Sequence, residues 1–95
     1  MIPRNRIPCH PGEILREEFL VPLGITPAAL SQHLGVSSQR ISELARERRR
    51  VTPELSWMLS QALGTTAEFW LNLQSTYDLA RNRPRKRIAR VKHAS

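Results

Sequence analysis

The chain is poor in the groups that build catalytic and metal sites. It has a single cysteine, Cys9, so no internal disulfide can form, and it contains no C-x-x-C pair or Cys/His cluster. Cys9 reads as a small packing residue, because no histidine is placed to activate it. His10, His33 and His93 lie far apart and lack metal-ligand spacing; His10 reads as a helix-start residue and His33 as a surface residue. No phosphate-cradling glycine loop and no nucleophile–base pair can be assembled, so no catalytic residue, cofactor or enzymatic activity is expected. Glu13 and Glu17 share a helix face but have no histidine or metal ligand beside them, and they read as a solvated face. No apolar run has the length of a signal-peptide core or a membrane span. That predicts a cytoplasmic protein with no membrane partner.

Acid is missing from one end of the chain. Residues 1–80 hold eight arginines and all eight acidic residues, and sum to zero. Residues 81–95 hold Arg81, Arg83, Arg85, Lys86, Arg87, Arg90 and Lys92 and no acid, so the whole formal charge of +7 lies there. Expected to be a disordered basic tail, such a segment suits a polyanion: DNA, RNA or an acidic membrane surface. The alternative is a merely solvated end.

What is present centres on Thr26 to Leu44, TPAALSQHLGVSSQRISEL. Thr26 is a good N-cap, and Pro27 at the first helical position loses no needed N–H. Leu30 and Leu34 fall on one face, and Gly35 stands where the helix needs a left-handed residue to stop. Ser37 caps a second helix whose Ile41, Leu44 and Ala45 again share a face. Two short helices joined by a tight glycine turn predict a helix-turn-helix. Its second helix turns Ser38, Gln39, Arg40, Ser42, Glu43 and Arg46 outward, a polar rod fit for a major groove roughly 12 Å wide. The alternative is an ordinary helical hairpin. Against it, Leu30, Gly35, Val36, Ile41 and Leu44 fall where the bacterial Cro/repressor-type helix-turn-helix has its apolar residues and turn glycine.

The flanks complete an all-α reading. Residues 1–9, rich in proline and arginine, are expected to form an extended arm, residues 10–80 the domain and residues 81–95 the tail. HPGEILREEFL starts a first helix with Ile14, Leu15, Phe19 and Leu20 as its buried stripe, ended by Pro22 and Gly24. Glu13, Glu17 and Glu18 fall on its N-terminal and outer side. After Leu44, Arg46, Arg48, Arg49 and Arg50 crowd beside the second helix of the motif, where cations complement the helix dipole and suit phosphate contact. Thr52-Pro53 opens a fourth helix running to Leu63, with Leu55, Leu59, Ala62 and Leu63 inward. Thr65 and Glu68 read as a capping box for a fifth. Phe69, Trp70, Leu73, Tyr77 and Leu79 spread too widely for one stripe, so some of them are expected to meet another chain. A 95-residue domain buries roughly 60–65% of its unfolded surface, so dimerisation would help it.

Three runs carry a family likeness: HPGEILREEFLVPLGIT, LSQHLGVSSQRISEL and RRRVTPELSWMLSQALGTTAEFWLNLQSTYDLA. Over roughly residues 8–80 the chain resembles the HigA-type antitoxins, also described as VapI-like or XRE-family regulators. The resemblance implies a five-helix Cro/repressor-like bundle that acts as a homodimer. It also implies binding to double-stranded operator DNA in its own promoter, and neutralisation of a RelE-like mRNA endonuclease toxin. The DNA-reading helix then falls at residues 38–45. Gln39 and Ser42 become base readers with Ser38 and Arg40 beside them, while Ser37, Arg46, Arg48 and Arg49 position the backbone. Dimer half-sites are expected about one helical turn, or roughly 10 bp, apart.

Two departures stand out. The family tends to have a glycine turn after the reading helix, where this chain has Leu44-Ala45-Arg46-Glu47-Arg48-Arg49, so that helix is expected to run longer. The tail lies outside the likeness, and because RelE-like toxins are themselves basic it is expected to serve nucleic acid. The alternative function is an XRE-family transcription regulator without a toxin partner. A third reading, a protein-neutralising module that has lost DNA binding, predicts a poor reading helix, which this one is not.

Overall fold

Two leucines five residues apart, Leu15 and Leu20, mark the shape of the first helix. In an α-helix Leu15 and Leu20 would diverge around the axis, yet both are buried. They are brought to one side because Leu15–Leu20 form a π-turn, in which Val21 N–H donates to the Arg16 carbonyl five residues back. The π-turn sits between the α-helical segments Pro11–Ile14 and Val21–Leu23, and the three make one rod, α1. Pro22 does not end it; the proline lies in the last turn, and Gly24, at φ 68°, is the stop. Four helices follow: α2 (Pro27–Leu34), α3 (Ser38–Ala45), α4 (Pro53–Leu63) and α5 (Ala67–Arg81). This is a computed structural model, and it describes residues 8–92. Most of the expected arm, residues 1–7, lies outside the described residues, as does His93. There is no strand among the described residues, so the fold is all-α with five helices.

The core forms where all five helices meet. Ile14, Leu15 and Leu20 of α1 pack with Leu30, Ile41, Leu44, Val51, Leu55, Leu59 and Trp70. Trp70 is fully buried, with Phe19 tilted against it at 5.5 Å and Phe69 edge-on at 5.1 Å. Of the widely spread aromatics of α5, Trp70 therefore belongs to the core, and Tyr77 packs edge-on against His10 at 4.8 Å. Phe69 and Leu79 remain exposed, as does Trp57 of α4.

Two local expectations need correction. The cap of α5 is Thr66, whose hydroxyl accepts from Phe69 N–H; Thr65 instead accepts from the indole N–H of Trp70 at 2.7 Å. No capping box with Glu68 forms, because satisfying the buried indole fixes Thr65 one residue ahead of the helix. Glu13 does not lie on an outer face either, being only 4% exposed. The turn Pro11–Ile14 is buried throughout, so it has no outer face. Beyond Asn82 the described tail has no helix or strand and is exposed.

Candidate nucleic-acid interface

The turn between α2 and α3 is made by Gly35 at φ 76°, a conformation that costs a side chain about 1 kcal/mol or more. Its N–H and that of Val36 return to the Ser31 carbonyl, closing the end of α2. Ser37 then caps α3, its hydroxyl accepting from Arg40 N–H. Ile41, Leu44 and Ala45 are buried, while Ser38, Gln39 and Arg46 are exposed and Arg40, Ser42 and Glu43 half-buried. Ser38, Gln39, Ser42 and Arg46 line one side of an open cleft of about 710 Å³. Thr26, Pro27 and Ala28 at the start of α2 line the other, with Arg16, Leu20 and Val21 of α1 also on the wall.

The structure brings the predicted residues together unequally. Ser38, Gln39, Ser42 and Arg46 share the cleft. Arg40 turns the other way, toward Glu54 of α4 at 3.6 Å. The Ser37 oxygen is occupied in capping. Arg48 and Arg49 are exposed on the loop after α3, with Arg49 held by Glu43 at 2.8 Å.

That loop overturns the expectation of a longer α3. The helix stops at Ala45, and Glu47 takes φ 65°, the left-handed position the family tends to give to glycine. Glu47 N–H bonds the Leu44 carbonyl and Arg48 N–H reaches back to Glu43, so the end is sealed as a glycine would seal it. A left-handed glutamate costs about 1–2 kcal/mol. Its carboxylate offsets part of this by pairing with Arg16 at 3.3 Å, and Arg16 also donates to the Ala45 carbonyl. One guanidinium thus neutralises the C-terminal end of α3 and fastens the reversal that follows it.

Other supports come from far along the chain. The N–H of Val51 donates to Gln74 Oε1 at 2.8 Å, and Gln74 Nε2 donates to Asp78, which also holds Arg50 at 2.6 Å. Burial alone would raise the Asp78 carboxyl, but the bonds from Arg50 and Gln74 outweigh it and bring it below the usual range. Residues 46–51 are pinned at both ends, so Arg48 and Arg49 project from a fixed loop. Neither Arg16 nor Gln74 follows from motif spacing alone. The one signal for Arg16 is its place four residues after Gly12, on the same face of α1.

His10 completes the support behind α3. Its Nδ1 accepts from Gly12 N–H at 2.9 Å, capping α1 with a neutral imidazole. Burial pushes its pKa below the ordinary 6.5; nearby Arg16 and Arg50 act in the same direction, against Glu47 and Asp78. Well above pH 6.5 folded and unfolded chains both hold a neutral ring, and this contribution to stability is complete. As pH falls below that, through the lowered native value, the unfolded chain takes up the proton first and stability is lost. Urea denaturation at about pH 7 and pH 5 should show this loss, and His10→Asn, a neutral N-cap, should abolish that part of it. Equal losses in both proteins would show that the cap does not carry the effect.

A capped pair of helices crossing through a glycine turn, with the polar side chains of the second helix lining an open cleft, defines a helix-turn-helix protein. Residues 15–70 match the helix-turn-helix family. Virulence-associated protein I of Dichelobacter nodosus is 47% identical over 77 residues, covering 80% of this chain and 71% of that protein. Antitoxin HigA-1 of Vibrio cholerae is 42% identical over 90 residues, covering 93% and 85%. The solved structure of the Pseudomonas aeruginosa antitoxin HigA with the higBA promoter superposes with a TM-score of 0.76 at 46% identity, covering 78% of this chain and 80% of that one. The chain belongs to the HigA-type, virulence-associated-protein-I-like branch of the helix-turn-helix family, whose members are DNA-binding antitoxins and transcription regulators rather than enzymes.

Proposed function

We propose that this chain is the antitoxin and autorepressor of a type II toxin–antitoxin operon. As a cytoplasmic homodimer it binds an operator in its own promoter, and it holds a RelE-like mRNA endonuclease inactive. The observation that carries the DNA-binding reading is the cleft, one side of which is lined by Ser38, Gln39 and Ser42 of a firmly backed helix. Gln39 and Ser42 read base edges, with Ser38 beside them and Arg40 at the margin. Ser37, Arg46, Arg48 and Arg49 position the phosphate backbone, and the basic tail adds further phosphate contacts. The antitoxin role is supported by the identity shared with V. cholerae HigA-1 over nearly the whole chain.

The DNA reading is tested by titrating the full-length protein on a duplex from its own upstream region against a scrambled duplex. A preference of roughly a thousandfold or more is expected. Gln39→Ala should cost about 1–3 kcal/mol on the operator and little on scrambled DNA, with folding almost unchanged because the side chain is exposed. Equal losses on both duplexes would remove Gln39 from base reading. The toxin reading is tested by co-expression with the product of a small basic reading frame beside the gene. A stable complex that stops mRNA cleavage is expected; a neighbour that neither binds nor cleaves would favour the toxin-free regulator.

A further inference from the structure

Glu43 stands one helical turn after Gln39 on α3 and brings a negative charge into a face otherwise made of hydroxyls, an amide and cations. Its two oxygens are divided between two partners. Oε2 accepts from Gln39 Nε2 at 2.9 Å, while Oε1 accepts from Arg49 Nε at 3.1 Å and Nη2 at 2.8 Å. The bond from Gln39, then those from Arg49, hold the carboxyl below its usual range, so it stays ionised near neutral pH. An acid beside a phosphate backbone opposes binding by simple charge. Its place here therefore calls for a role that charge repulsion does not supply.

We propose that Glu43 is the positioning residue for base reading, fixing the Gln39 amide in one orientation and tying it to the Arg49 backbone clamp. This rests on the reading that residues 38–42 meet operator DNA. The geometry shows how it works. A glutamine amide has two N–H donors and a carbonyl acceptor. Giving one N–H to Glu43 leaves the other, with Oε1, for the N7 and N6 edge of adenine. The flipped amide would set its carbonyl oxygen against the carboxylate, and that repulsion excludes it. A freely turning amide can satisfy several base edges, whereas an oriented one satisfies few. Arg49 meanwhile offsets the charge of Glu43 and retains Nη1 for a phosphate oxygen. The three side chains Gln39, Glu43 and Arg49 thus couple a reader of sequence to a reader of position, already ordered before DNA arrives.

The test uses full-length protein with the operator and scrambled duplexes, and compares Glu43→Ala and Glu43→Gln in the wild-type and Gln39→Ala backgrounds. Glu43→Ala should bind scrambled DNA more tightly, because a negative charge is lost, while the operator-to-scrambled ratio falls roughly tenfold. Glu43→Gln, which keeps an acceptor for the amide, should restore part of that ratio. In the Gln39→Ala background neither change should lower the ratio further. Equal gains on both duplexes, or the same fall in ratio with and without Gln39, would overturn the positioning role and leave Glu43 as a charge alone. A wild-type ratio near one would instead overturn the operator reading itself.

Discussion

Gly12→Ala is expected to destabilise the domain by at least about 3 kcal/mol, at or beyond the upper end for overpacked cores. A Cβ built on Gly12 would lie 1.7 Å from the Leu44 carbonyl oxygen and 2.9 Å from its carbon. The obstacle is backbone, so no rotamer change relieves it. Either α1 must leave the end of α3 or the last turn of α3 must unwind. Both outcomes strike the same group, since His10 caps Gly12 and Arg16 binds the Ala45 carbonyl from the same side. For a domain of this size the loss corresponds to a fall in melting temperature of more than about 10 °C. Gly35→Ala is the control. Nothing lies within 4 Å of its added methyl, so only the strain of a positive φ remains, at about 1 kcal/mol. Thermal denaturation of the two variants should separate them clearly. Near-equal melting temperatures would show that the crossing of α1 and α3 relaxes at little cost.

Truncation after Asn82 is expected to give the other large effect, and it acts on binding rather than folding. It removes Arg83, Arg85, Lys86, Arg87, Arg90 and Lys92 while leaving Arg81 over the ring of Tyr77. The described residues of this segment are exposed, so no core contact is lost and the melting temperature should hold. Each phosphate neutralised contributes about 0.9 to the slope of log affinity against log salt. Losing up to six contacts should therefore flatten that slope by as much as about 5 and weaken operator binding of the order of a hundredfold near physiological salt. Scrambled DNA should lose a similar factor, because a tail that meets only phosphate carries no sequence information. The measurement is affinity across a salt series for both proteins on both duplexes. An unchanged slope would remove the tail from the DNA contact.

The caps and turns of α2, α3 and α4 were legible because each is a local event. Thr26, Ser37 and Thr52 each accept from an N–H three residues on, and Gly35 closes a bond within its own turn. The apolar period placed Ile41, Leu44 and Ala45 inward and left the polar face of α3 outward by the same short-range geometry. HPGEILR was legible as part of a likeness, but its work was not: Gly12 meets Leu44 and Arg16 meets Ala45 and Glu47 across about thirty residues of chain.

Neighbours along the chain were enough to place five helices, a helix-turn-helix at their centre and a net charge lying wholly at one end. Periodicity, capping and composition are properties of neighbours along the chain, and they needed no partner to be read. Packing between distant helices is what buries Glu13, closes the end of α3 with a left-handed Glu47 and leans Arg40 away from the cleft toward α4. The same packing brings Gln74 to the N–H of Val51. Each depends on a group brought close by the packing of another helix. Burial, the stabilising of a strained backbone and the choice of ion-pair partner are set by that neighbour, and not by the residue type alone.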